Sequence, residues 1–311
     1  MRMRLLTGSL ALALTLACHP NAIAQADVPS DRPIPDIPTL MRQVEDHLQT
    51  ADQVRKDYIY HARETRQELD RDGHVKKSTA SEYDIFWING VPVEKQTKKD
   101  GRDLTPDELK KEDARIDKEV AKAREKKDKA QSQGKETSPR GDDMISASRI
   151  LELGSFSNPR RVSLNSRPTI VLDYTGNPKA KTRNRFEEVV RDLVGTVWID
   201  EQDKVIRKTE GHFLNDFKIG AGLVANIRKD SSFGMDQIKV NDEVWLPSYL
   251  EGKGAIRFLL LAGFDGRVQL TMSDYRKFHT TSTILPGVSA VEEDSSPSTS
   301  TPPAPPPTPP Q

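Results

Sequence analysis

Apolar and polar positions alternate most regularly between Val194 and Phe278. Val268, Leu270 and Met272 take turns with Arg267, Gln269, Thr271 and Ser273, the period of a strand with one face in a core and one in water. Gly195 to Asp200 and Val205 to Glu210, separated by Glu201-Gln202-Asp203-Lys204, read as a hairpin with a polar loop. Ile238 to Val240 and Val244 to Pro247, around Asn241-Asp242, read as a second. Ala255 to Ala262 and Arg267 to Arg276, joined by Gly263-Phe264-Asp265-Gly266, read as a third pair. Ile256 and Phe258 to Ala262 form a nearly unbroken apolar run, which implies cover on both faces of that strand, by protein or by a ligand.

The front half follows the same grammar. Thr39 can cap a helix with the stripe Leu40, Val44 and Leu48. Tyr58 to Glu68 and Val75 to Ile88 are strands around Asp70-Arg71-Asp72-Gly73, and Asn89-Gly90 is a strong hairpin signal leading into Val91-Pro92-Val93. Thr105-Pro106-Asp107-Glu108 is a capping box that starts a helix to about Gln131, charged nearly all round. Its thin stripe of Leu109, Ile116, Val120 and Ala123 predicts a mobile surface insertion, and Ser132 to Gly141 a connector. Asp142 or Asp143 can cap a short helix closed by Gly154, two strands follow at Arg161 to Leu164 and Thr169 to Tyr174, and Thr182 to Val194 predicts an amphipathic helix. Hairpins in series predict a mainly β (α+β) fold, a curved antiparallel sheet or half-barrel with a few covering helices and a charged helical insertion.

The two ends differ from the middle. Arg2 and Arg4, the apolar run Leu5 to Ala17, and Ala22-Ile23-Ala24 before Gln25 read as a secretory signal cleaved after Ala24; the alternative is lipidation of Cys18, the one cysteine. The organisation expected is a signal over 1–24, an extended lead-in over 25–38, one domain over 39–287 with its insertion at about 105–141, and a Ser/Thr/Pro-rich disordered tail over 288–311. This places the protein in the periplasm or outside the cell.

Charge and chemistry narrow the function classes. Lys plus Arg equals Asp plus Glu at 47 each, so there is no electrostatic case for nucleic acid. Six histidines are scattered without metal-ligand spacing, Gly220-Ala221-Gly222 lacks the rest of a dinucleotide fingerprint, and there is no P-loop and no Gly-x-Ser-x-Gly elbow. Asp70-Arg71-Asp72-Gly73 has the start of a calcium loop without its later ligands. Glu187-Glu188 and the pair Asp200 and Asp203 read as a wet helix face and a turn, and Trp87, Trp198 and Trp245 as core. No cofactor and no enzyme chemistry is expected.

The capped helix near Thr39, the strand pair around Glu68 to Gly73, and the hairpins Gly195 to Lys208 and Val240 to Pro247 resemble the periplasmic lipoprotein-sorting superfamily of carriers, receptors and envelope sensors, over roughly Thr39 to Phe278. That resemblance implies an incomplete barrel lidded by helices, with acyl chains held in its apolar interior without covalent chemistry. It implies a carrier or sensor in the cell envelope that binds lipid or lipoprotein acyl chains. The cavity residues expected are Trp198, Phe213, Trp245, Phe258 and Leu260, closed by Phe186, Val189 and Leu193. The alternatives are an envelope protein-interaction module without a lipid ligand, engaging an envelope protein partner, and a secreted hydrolase with no recognised motif.

Overall fold

A computed structural model describes residues 26–27, 32–70, 72, 74–134, 137–142, 144–219, 225–229, 231–258 and 261–278. The signal, Cys18 and the proline-rich tail lie outside the described residues. Helix α1 (Ile37–Arg55) leads into β2 (Tyr58–Leu69), β3 (Val75–Ile88), β4 (Val91–Lys99) and the short β5 (Arg102–Asp103), all preceded by the two-residue β1 (Ala26–Asp27). Helices α2 (Pro106–Ser132) and α3 (Ala147–Leu153) separate this meander from β6 (Gly154–Leu164) and β7 (Arg167–Gly176). After α4 (Arg185–Arg191) come β8 (Leu193–Asp200), β9 (Val205–Phe213), the small hairpin β10 (Phe217–Ile219) and β11 (Ala225–Ile227), then β12 (Ser232–Val240), β13 (Val244–Phe258) and β14 (Leu261–Lys277).

One open, curved, wholly antiparallel sheet of twelve strands results, in the order β1-β6-β7-β8-β9-β12-β13-β14-β2-β3-β4-β5. Two meanders are joined where the last strand pairs with the first long one, from Gly266 opposite Glu68 to Lys277 opposite Tyr58. The mainly β class and the antiparallel hairpins are as the alternation predicts. Tight turns have the expected chemistry: Asn89-Gly90, Asp100-Gly101 and Asn165-Ser166 take positive φ at both positions, as two-residue type I′ turns require, and Asn241-Asp242 do the same in a three-residue loop with Glu243.

Register separates two faces. Leu172, Val197, Thr209, Met235, Leu250 and Leu270 are successive cross-strand partners, ending on Glu64, and so share one face. The alternate row runs Val171, Trp198, Lys208, Asp236, Tyr249, Thr271, Arg63 and Glu82 on the other. Helix α1 buries Leu40, Met41 and Val44 on the first face, against Ile170, Leu172 and Ile199, with Ala147 of α3. Helix α2 packs on the second face at the far end of the sheet, setting Ile116, Val120 and Ala123 on Val91 and Val93.

Several boundaries differ from the sequence reading. Helix α1 starts earlier, because Asp36 accepts from the Thr39 amide and Pro38 sits in the first turn, so Thr39 is inside the helix and not its cap. Ser146, not Asp142 or Asp143, caps α3, and α4 is cut to seven residues, with Asn184 as cap and Leu193 and Val194 already in β8. The expected turn at Gly263 to Gly266 lies inside β14, and Phe258 pairs with Leu261, so the apolar run is shared between two strands. Burial along that run lies outside the described residues. Helix α2 is docked, since its thin stripe meets two wholly buried valines and its charged flanks meet partners on β4.

Gly266 has φ near 151°, and a Cβ there would lie 1.9 Å from the Gln67 carbonyl oxygen across the joint between the meanders. Gly134, at φ 66°, has open space around it. Gly266→Ala is expected to lower the urea midpoint by an amount equivalent to about 2–3 kcal/mol, and Gly134→Ala by no more than about 1 kcal/mol. Equal effects of the two would show that the joint is not the strained element.

Candidate functional site

On the face that carries α1, the helices cover β7, β8 and β9, the end of α1 reaches β13 through Val54 on Tyr58, Val244 and Leu246, and the apolar row continues beside it. Ala62, Ile85 and Met272 are buried there, and Tyr60, Tyr83, Leu250, Leu270 and Tyr275 pack round them while only half-buried themselves. These residues come from β2, β3, β13 and β14, so the tract straddles the joint between the meanders. The Tyr60 and Tyr275 rings are 5.4 Å apart and tilted by 32°. The Tyr275 hydroxyl donates to the Pro247 carbonyl at 2.6 Å, which fixes its ring over the sheet. Burial pushes the Tyr60 phenol up to about 12, with Glu94 adding to the effect, and burial also raises Tyr83. Both stay neutral at physiological pH, as a lining for an uncharged ligand needs. At one end the tract meets Glu64, which is paired with Arg66 at 3.0 Å.

On the same face, two residues before Met235 in β12, Phe233 packs in a closed cluster with Val189, Leu193 and Phe213. The Phe213 and Phe233 rings are 6.2 Å apart. Gly211 makes this approach possible, since a Cβ there would fall 2.7 Å from the Phe233 ring. Three of the sequence-named residues, Val189, Leu193 and Phe213, are therefore brought together. Phe186 of the same helix is exposed, Phe258 ends β13 with its side chain outside the described residues, and Leu260 lies outside them altogether.

The two tryptophans lie elsewhere. Trp198 is buried on the opposite face with Val162, Leu164 and Val171, under the Lys208 ammonium 5.0 Å from its ring, and its indole N–H has no hydrogen-bond partner among the described residues. Trp245 is the centre of a charged network: its Nε1 donates to Asp203 at 2.8 Å, and the guanidinium groups of Arg167 and Arg207 lie 5.6 Å and 5.3 Å from its ring centroid. Arg167 in turn grips the fully buried Asp200 through two bonds of 2.6 Å and 2.8 Å. Asp200 and Asp203, read from sequence as a turn pair, thus also tie β7, β8, β12 and β13 together at one end of the sheet, through Arg167, Lys239 and Trp245.

The polar face has its own concavity, a groove of about 550 Å³ lined by Asp173, Thr196, Glu210, His212, Ser232 and Glu251 among others. Asp173 and Glu210 are neutralised by Arg160 and Lys208. Among the described residues Asp70, Asp72 and His74 form the one group that could converge on a metal, all exposed. One Asp70 oxygen already accepts from the backbone amides of Asp72 and His74 at 2.9 Å and 2.8 Å, the chemistry of a turn.

No family model matches the chain, and no curated relative does. Solved structures of low identity are similar to the chain. An outer membrane lipoprotein-sorting protein domain from Vibrio parahaemolyticus is 11% identical, with 79% of this chain and 94% of that chain covered and a TM-score of 0.35. A DUF1329 family protein from Desulfovibrio piger is 9% identical, covering 79% and 95%, with a TM-score of 0.34. A LolA superfamily protein from Nitrosomonas europaea is 13% identical, covering 76% and 93%, with a TM-score of 0.30. No helix among the described residues is long and apolar enough to cross a membrane.

The Trp245 network makes a pH prediction. Burial alone would raise the Asp203 carboxyl, but the bonds from Trp245 and Lys239 and the charge of Arg167 hold it below its ordinary value. A carboxylate depressed on folding contributes stability that is complete above its unfolded pKa and lost as pH falls through the folded one. Asp203→Asn should therefore cost about 1–3 kcal/mol at neutral pH, and the difference from the parent should vanish well below pH ~4. A pH-independent difference in urea midpoint would rule out the charge as the cause.

Proposed function

We propose that the protein is an exported, non-enzymatic binding protein for a hydrophobic ligand, a lipid or the acyl chains of a lipoprotein, acting as a carrier or sensor in the cell envelope. The observation that supports this most is the half-buried tract around Ala62, Ile85 and Met272. An ordinary core strand would close its row of side chains under a helix, as Leu172 and Ile199 do beneath α1. Here Leu250, Leu270, Tyr60, Tyr83 and Tyr275 stay partly open on a curved sheet. A contiguous apolar tract left half-buried in this way is suited to an interaction site.

The tract is suited to a chain molecule. Met235, Leu250 and Leu270 follow one another across adjacent strands, spaced by about 4.8 Å each, so an extended acyl chain can lie along the row. Transfer of about sixteen carbons from water at ~0.8 kcal/mol per CH₂ is worth on the order of 10 kcal/mol, enough for retention without covalent chemistry. Val189, Leu193 and Phe213, joined through Phe233, form the closed end of this binding surface. Glu64 and Arg66 stand at the other end and face the ligand's polar head.

Displacement of a fluorescent fatty acid tests the reading. The parent should bind saturably, and the pair Leu250→Glu and Leu270→Glu should reduce affinity at least about tenfold, because each places a charge where the chain must lie. Thr271→Glu, on the opposite face, should leave binding unchanged. Absence of saturable binding by the parent, together with a native mass equal to that of the bare chain, would favour an envelope interaction module instead.

A further inference from the structure

The outer edge of β4 is treated differently from the other strand surfaces. Its outward backbone groups are met by side chains of α2: the Gln96 amide donates to the Glu112 carboxylate at 2.7 Å, and Arg115 donates to the Glu94 carbonyl. Farther along, β5 and Leu104 run beside the same edge, with the Leu104 amide on the Thr97 carbonyl. Between α2 and this short strand a groove of about 270 Å³ remains, lined by Gln96, Lys99, Leu104, Glu108, Lys111, Glu112 and Arg115.

The charges in this groove are unevenly committed. Glu108 takes both of its oxygens to Arg102 at 2.8 Å each, and one of them also accepts from the Thr105 amide. Glu112 is held by Arg115 at 2.7 Å and 2.9 Å in addition to the Gln96 amide. Both carboxylates are thereby neutralised. Nearby Lys95 and Lys98 are paired with Asp113 and Glu82. Lys99 and Lys111 have no ion pair or hydrogen bond among the described residues, and both are exposed. Thr97, the bulged residue between Gln96 and Lys98, carries a buried hydroxyl without a hydrogen-bond partner among the described residues.

We infer that the groove between β4 and α2 is a docking site for an acidic, extended segment of a partner protein, whose Asp or Glu side chain enters between Lys99 and Lys111. The site is smaller than the ~300–1,000 Å³ of a drug-sized pocket, and suits a single side chain. Leu104 covers the methylenes of such a side chain, and the two ammonium groups take its carboxylate. A second copy of this chain is a poor occupant by strand pairing, because the outer edge of β4 is already bonded to Glu112, Arg115 and β5. The site lies at the outer edge of β4 beside α2, with Gln96 opposite Tyr83 of the tract, and it does not depend on a lipid ligand.

Fluorescence anisotropy with labelled hexaglutamate and the full chain tests the assignment. Saturable binding at low ionic strength is expected, and the pair Lys99→Glu and Lys111→Glu should weaken it at least about tenfold, while Lys76→Glu, an exposed lysine on β3, should change it less than about twofold. An equal loss with Lys76→Glu would show non-specific attraction and overturn the assignment. So would competition by inorganic phosphate as effective as by unlabelled peptide, or binding to anionic phospholipid vesicles that is lost in the same pair while the peptide does not bind. Because Lys99 and Lys111 are exposed and unpaired, an unchanged circular dichroism spectrum is expected in both variants.

Discussion

The pairing of β14 with β2 is the constraint on which the rest depends. It joins the meander that begins the sheet to the one that ends it, and the C-terminal end of α1 seals the same joint, with Val54 against Tyr58, Val244 and Leu246. Without it, β2 to β5 would be four strands with α2 as their main cover, close to the lower limit for independent stability. The apolar tract also lies across this pairing, since Ala62 is opposite Met272 and Glu64 is opposite Leu270. The joint closes only after residues near 277 are available to pair with residues near 58, so the sheet has high contact order and its folding is expected to be slow.

The two faces divide the work that alternation sets up. One face is paved with Leu172, Ile199, Met235, Leu250 and Leu270, and α1 covers its first half and the Val244 to Leu246 end of β13, leaving Leu250 and Leu270 half-buried. On the other face, polar residues predominate in the middle of the sheet and α2 covers its far end. Charged side chains then manage what hydrophobic contact leaves over. Arg167, Arg207 and Asp203 enclose Trp245, Arg161 binds Glu201 and two carbonyls of the lead-in, and Glu112 and Arg115 satisfy the β4 edge. Covering that edge with bonded side chains also removes a template for unwanted strand pairing.

Much of this architecture is legible in the residues. Asn89-Gly90 and Asn241-Asp242 specify tight turns, Thr105 with Glu108 specifies the start of α2, and alternation in Arg267 to Ser273 specifies a half-wet strand. The candidate site was less legible. Val189, Leu193 and Phe213 do meet, but Tyr60, Tyr83 and Tyr275 carry no local mark of a shared surface. Trp198 and Trp245 drew notice because they are large, and size alone does not tell which face of a sheet a ring occupies.

Local pattern determined the antiparallel hairpins, the helix with the capping box and the division into apolar and polar faces, because each depends on neighbours within a few residues. Tertiary structure decided three other things. It docked α2, whose stripe gains most of its burial from Val91 and Val93 on another element. It moved the last hairpin turn, because the register of β13 with β14 is set over a long ladder and overrides the glycines at 263 and 266. Finally, it assembled the tract from strands more than 180 residues apart, a juxtaposition that only long-range pairing creates.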